Sequence, residues 1–93
     1  MHSYITTYNH QHRASVLIEF QCADGFTFRT QEFQEFGDDL AQHLVAVGET
    51  HEPLVVQPSY KTQSKTVGAL LRELHKALGV KVVVARYVCF APQ

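Results

Sequence analysis

The sequence predicts an α+β fold. It is a two-layer sandwich in which a three-stranded antiparallel sheet carries two helices on one face, in the order β-β-α-α-β. Three observations carry this. Residues 14–22 alternate, with Val16, Ile18, Phe20 and Cys22 on one face and Leu17, Glu19 and Gln21 on the other, the period-two pattern of a half-buried strand. Two later stretches repeat apolar residues at helical spacing: Phe33, Phe36, Leu40, Leu44 and Val47, then Val67, Leu70, Leu71, Leu74 and Leu78. A closing run over residues 80–90 is apolar on both faces, as in a strand covered on both sides.

The elements follow in order. Residues 3–10 are rich in aromatic and β-branched types and read as a strand. The polar stretch Asn9-His10-Gln11-His12 turns the chain into residues 14–22, giving a hairpin. Ala23-Asp24-Gly25-Phe26 is the sharpest local break, an Asp-Gly turn followed directly by an aromatic. Thr30 suits the N-cap of the first helix, and Gly48 is expected as the left-handed residue past its end. Pro53 and Pro58 exclude a continuous helix across residues 48–63, and connections this long are usually functional or mobile. The second helix is expected to start near Ser64 or Thr66 and to stop at Gly79, with Glu73 and Lys76 lending surface support.

Strict alternation along the last strand groups Val80, Val82, Val84, Val88 and Phe90 on one side. It groups Val83, Ala85, Tyr87 and Cys89 on the other, and only Lys81 and Arg86 interrupt. One helical layer covers one face, so the second needs another cover: a second copy of the chain or a partner protein. A homodimer is therefore expected, with Val83, Ala85, Tyr87 and Cys89 at its interface.

Composition narrows the function. At 93 residues and 45% hydrophobic content, the chain suits one small domain spanning residues 1–93. Eight Lys and Arg against nine Asp and Glu give a net charge of −1, which lacks the electrostatic footprint of a nucleic-acid binder. No apolar run approaches the ~20 residues of a membrane helix, and the start of the sequence does not read as a signal peptide. Cys22 and Cys89 are far apart, with no C-x-x-C spacing, so a reducing, cytoplasmic setting with two thiols is expected. Cys22 reads as a structural thiol on the buried face.

His10 and His12 could point the same way from a strand and share a metal. No Cys or carboxylate is spaced nearby to complete a site, so a solvated turn is the better reading. His43 and His75 are expected as surface or partly buried helix residues, and His51 falls in the long connection. Lys61, Lys65, Lys76 and Lys81 form no run, and the five Gly are scattered rather than gathered in a phosphate loop. No nucleophile and base share a recognisable spacing. The expectation is no metal, no cofactor and no catalytic constellation.

Two blocks resemble a known family. The first contains Arg13, Val16-Leu17-Ile18-Glu19, Cys22, Phe26, Arg29, Phe33-Gln34-Glu35-Phe36 and Asp39-Leu40-Ala41-Gln42-His43-Leu44. The second contains Gln57-Pro58, Lys65-Thr66-Val67-Gly68, Leu70-Leu71, Leu78-Gly79, Val82-Val83-Val84, Arg86-Tyr87-Val88 and Phe90. Together they resemble the core, or dimerisation, domain of bacterial translation elongation factor Ts, the nucleotide exchange factor of the GTPase elongation factor Tu. The resemblance implies a three-stranded antiparallel sheet on helices and a subdomain that pairs with its like. It also implies elongation factor Tu or a related GTPase as partner, and at most a non-catalytic exchange activity.

In that family a loop Phe wedges between helices of the GTPase near its magnesium site. Carried over, this gives Asp24, Gly25, Phe26, Arg86 and Tyr87 as partner-binding residues. The alternative is a homodimeric interaction module that kept the fold without the exchange activity. Several positions depart from the family. Its N-terminal ubiquitin-associated-like module has no match, and its helical excursion is reduced to residues 48–63. Gly25 stands where the family has Asp, with Asp24 displaced by one position, so a looser loop is expected. Ala85 and Cys89 stand at usually basic positions, leaving Arg86.

Overall fold

The computed structural model describes residues 1–11, 13–48, 53–60 and 63–90. Strands β1 (His2–His10) and β2 (Ala14–Cys22) lead into a 3₁₀ turn at Gly25–Arg29 and helix α1 (Gln31–Val47). A second 3₁₀ turn at Leu54–Val56, helix α2 (Val67–Leu78) and strand β3 (Val82–Phe90) follow. This is the predicted β-β-α-α-β order. The strands form one sheet in the order β1-β2-β3, antiparallel throughout.

Local chemistry sets the boundaries. In the hairpin, Arg13 N–H donates to the His10 carbonyl at 2.9 Å, and Gln11 takes φ 51°, a left-handed turn conformation. Thr30 caps α1, its Oγ1 accepting from Phe33 N–H at 3.2 Å. Thr66, rather than Ser64, caps α2 by accepting from Ala69 N–H at 3.1 Å. Gly79 ends α2 in the left-handed region at φ 69°, ψ 18°. That turn takes Val80 and Lys81 out of the predicted strand, so β3 begins at Val82. Gly48 differs from expectation: its φ is 75° but its ψ is −169°, a positive-φ conformation outside the left-handed helical well. Both are open to glycine.

The core lies between the sheet and α1. Val16, Ile18, Phe20 and Cys22 of β2 are buried, as the alternation predicts, together with Phe33, Leu40, Ala41 and Leu44 of α1. Phe20 and Phe33 meet edge to face, with centroids 4.9 Å apart, a favoured aromatic geometry. At Gly37 an added Cβ would lie 3.2 Å from Thr6 Oγ1, so glycine permits the close approach of α1 to β1.

The third strand corrects the predicted faces. Cys22 pairs with Val82, Gln21 with Val83 and Phe20 with Val84; then Glu19 pairs with Arg86 and Ile18 with Tyr87. Ala85 is skipped as the extra residue of a β-bulge. One unpaired residue resets the phase of all that follows. Tyr87 and Cys89 therefore pack against the core on the helix-bearing face, not on the outer face. Val88 and Phe90 move outward, where Phe90 is 62% exposed. Of the four residues expected on the second face, only Val83 and Ala85 are exposed. Among the described residues no helix is long and apolar enough to cross a membrane.

Candidate functional site

The turn after β2 is built to hold one aromatic ring out and its neighbours in. Asp24 caps the 3₁₀ turn, its Oδ1 accepting from Phe26 N–H at 2.8 Å. At the other end, Thr30 Oγ1 donates to the Thr27 carbonyl at 2.8 Å, and Gln34 Nε2 donates to the Phe28 carbonyl at 2.7 Å. Thr27 and Phe28 are buried. Phe28 stacks on Tyr4 at 5.3 Å and meets Phe33 edge-on at 5.1 Å. Phe26 is 73% exposed, with the Arg29 guanidinium 5.9 Å from its ring centre, a cation–π distance. A cavity of about 600 Å³ opens beside it, walled by His2, Tyr4, Asp24, Phe26 and Arg29 among others.

Gly25 opens this turn without a positive φ. The atoms nearest an added Cβ belong to the His2 side chain, with Nδ1 3.2 Å away. The loosening expected from Gly25 is offset by Asp24, whose carboxylate supplies the fixing hydrogen bond from one position earlier.

The structure gathers Asp24, Gly25 and Phe26 in this turn but does not place Arg86 and Tyr87 with them. Neither lines the cavity beside Phe26. Arg86 projects from the outer face and pairs with Glu19 directly across the ladder, Nε to Oε1 at 2.6 Å. Tyr87 points to the core side. Around the Arg86–Glu19 pair the outer face exposes Ile5, Leu17, Val83, Val88 and Phe90, a second candidate surface.

His43 is the residue that sequence reasoning missed. It is buried, at 1% exposure, not at the surface. Tyr60 N–H donates to its Nδ1 at 3.1 Å, so the proton sits on Nε2, which donates to Gln57 Oε1 at 2.8 Å. Both ring nitrogens thereby fasten residues 57–60 to α1. The signal was present, since His43 follows Leu40 by three residues and precedes Val47 by four on the apolar stripe. His75 is partly buried, with Nε2 2.8 Å from the Val82 carbonyl. His10 is exposed beside the Tyr8 hydroxyl, while His12, His51 and Lys61 lie outside the described residues. Among the described residues no three potential metal ligands are gathered.

These features define a small α+β fold with two exposed apolar surfaces, the Phe26 turn and the outer face of the sheet. No protein-family model matches the chain. It is similar to elongation factor Ts of Trichlorobacter lovleyi, 32% identical over 79 residues, covering 84% of this chain and 25% of that protein. It is also similar to elongation factor Ts of Rubrobacter xylanophilus, 28% identical over 122 residues, covering 82% of this chain and 63% of that protein. With elongation factor Ts of a Nostoc species the identity is 30% over 79 residues, or 85% of this chain and 25% of that protein. The chain is thus similar to part of elongation factor Ts: it spans about a quarter of the Trichlorobacter and Nostoc proteins and less than two-thirds of the Rubrobacter one.

Proposed function

We propose that this chain is an elongation factor Ts-like protein of the cytoplasm. It binds elongation factor Tu or a related GTPase and promotes guanine nucleotide exchange. The observation that carries this reading is Phe26, held 73% exposed on a turn whose next two residues are buried. A large ring fixed in advance loses little entropy on docking. Entering the partner, it would stabilise the conformation that holds nucleotide and metal poorly, shifting the population toward release. No bond is made or broken on this chain.

The test is release of fluorescent GDP from loaded elongation factor Tu as the protein is titrated in. Acceleration that disappears in Phe26→Ala supports the reading, and binding without acceleration argues for a sequestering module.

The second reading is a homodimeric interaction module. What favours it is the apolar outer face of the sheet, Ile5, Leu17, Val83, Val88 and Phe90, all exposed. The interface would then use Val83 and Ala85 with Val88 and Phe90, in place of Tyr87 and Cys89. Arg86 would sit within it, its charge offset by Glu19. A monomeric mass by light scattering at micromolar concentration would contradict this reading.

A further inference from the structure

We propose that β1 joins a second copy of this chain along its free edge, β1 against β1 antiparallel about a two-fold axis at Thr6, so that two three-stranded sheets become one sheet. This surface differs from the Phe26 turn and from the outer sheet face, and the proposal rests on neither reading above. Among the described residues β1 pairs only with β2, and β3 is the opposite edge. An edge strand carries a row of main-chain N–H and C=O groups that another strand can take up. Sheets usually guard that row with Lys, Pro, a bulge or a very short strand. β3 has such a guard in its bulge at Ala85. β1 has none of these. It runs nine residues without Lys, Arg, Asp, Glu or Pro, and it keeps an unbroken register with β2 from His2 to His10.

The strand's own sequence selects the occupant. His2-Ser3-Tyr4-Ile5-Thr6-Thr7-Tyr8-Asn9-His10 reads almost alike in both directions. Antiparallel pairing about Thr6 sets His2 opposite the partner's His10, Ser3 opposite the partner's Asn9, Tyr4 opposite the partner's Tyr8 and Ile5 opposite the partner's Thr7. Thr6 faces its own copy. Each pair joins like with like: imidazole, small polar, aromatic and β-branched side chains all meet their own kind. Directly opposed aromatic pairs and Thr pairs are favourable units of sheet pairing. Tyr4 and Tyr8 are partly buried against the core on the helix-bearing face, while Ile5 is 58% exposed on the other, so both faces gain contact. Sliding one copy by two residues either way keeps the faces but breaks both Tyr pairs, and a one-residue slip exchanges the faces.

The rest of the fold accepts this arrangement. Directly opposed residues of an antiparallel ladder share a face, so both helical layers lie on one side of the joined sheet. α1 packs over β1 and β2 together. A helix placed midway over that pair stands about 10 Å from its two-fold copy, a packing distance for helices. The strand is also held ready. Thr6, at the axis, is buried beneath Gly37, where an added Cβ would come within 3.2 Å of its Oγ1. A strand already fixed by its neighbours loses little further freedom on pairing.

Light scattering at high micromolar concentration should give twice the 10.5 kDa of the chain. In a mixture of isotope-labelled and unlabelled chain, filtered nuclear Overhauser spectra should show contacts between copies from the Tyr4 ring to the Tyr8 ring. They should show none from Leu17 or Val88. Thr7→Lys places a charge at an exposed position of the edge strand, opposite the partner's Ile5. It should weaken the dimer about tenfold or more and leave the circular dichroism spectrum unchanged. Val88→Lys, on the outer face of the opposite edge strand, should leave the dimer as tight as before. A monomeric mass, contacts between copies centred on Leu17 and Val88, Tyr8 opposite any residue but Tyr4, undiminished dimerisation of Thr7→Lys, or dissociation by Val88→Lys would overturn the proposal. Contacts through Leu17 and Val88 would at the same time support the outer-face reading. Nucleotide release through Phe26 is read in a separate assay, so the exchange reading stands or falls independently.

Discussion

Strands β2 and β3 pair along most of their nine residues, yet only β2 keeps a single phase from end to end. In β2 every second side chain from Val16 to Cys22 is buried. In β3 the inward residues are Val82 and Val84, then Tyr87 and Cys89. The period of two belongs to one-to-one pairing, not to the strand itself, and Ala85 breaks the pairing once. An apolar run gives no sign of such a break, because either phase presents apolar residues to the core.

The largest effect is expected where β2 faces the core. Ile18 is fully buried and its neighbour Leu17 is 42% exposed. Ile18→Ala should cost about 2–5 kcal/mol. Leu17→Ala should cost about 0.5 kcal/mol or less in the monomer. Denaturant unfolding of both variants checks the contrast. In β3 the bulge makes the opposite prediction from strict alternation. Tyr87→Ala should cost about 2 kcal/mol or more, as loss of a core-packed aromatic, and Val88→Ala about 0.5 kcal/mol or less. A reversed order would contradict a bulge at Ala85.

Next in size is the attachment of residues 57–60. His43→Leu keeps the volume approximately but leaves Tyr60 N–H without its ring acceptor and Gln57 Oε1 without its ring donor. Each buried polar group left unmade costs about 1–3 kcal/mol. The expected outcome is a loss of about 2 kcal/mol and faster protease cleavage near Tyr60, read by mass spectrometry. Cleavage at the unaltered rate would mean that Ser59 N–H to the Lys65 carbonyl at 2.9 Å and Val67 N–H to the Gln57 carbonyl at 2.9 Å hold the segment alone.

Much of the fold was legible because its signals are local. Thr30, Thr66 and Gly79 act where the sequence placed them, and the amphipathic stripes of α1 and α2 point to the core. What escaped depends on pairing across the chain. The role of Ala85 is set by register against Phe20 and Glu19. The hydrogen-bond partners of His43 are Gln57 and Tyr60, 14 and 17 residues away, which its place on the apolar stripe does not reveal. Of the site, Asp24, Gly25 and Phe26 were readable as one turn because they are contiguous. Arg86 and Tyr87 were grouped with them by resemblance alone, and as consecutive strand residues they point to opposite faces, Arg86 outward and Tyr87 to the core side.

The smallest stability effects are expected in that turn, where they are also the most informative. Asp24→Ala removes the cap on Phe26 N–H and should cost about 1 kcal/mol. Phe26→Ala removes a ring with little contact to its own chain beyond Arg29, so its cost should stay within about 0.5 kcal/mol. Phe28→Ala, two residues on and buried against Tyr4 and Phe33, should cost about 3–5 kcal/mol. If Phe26 serves a partner, nucleotide release should be lost in Phe26→Ala while the unfolding midpoint holds, and Asp24→Ala should reduce release in part by letting the ring wander. If Phe26→Ala instead unfolds as readily as Phe28→Ala, the ring belongs to the core in solution and the wedge reading fails with it.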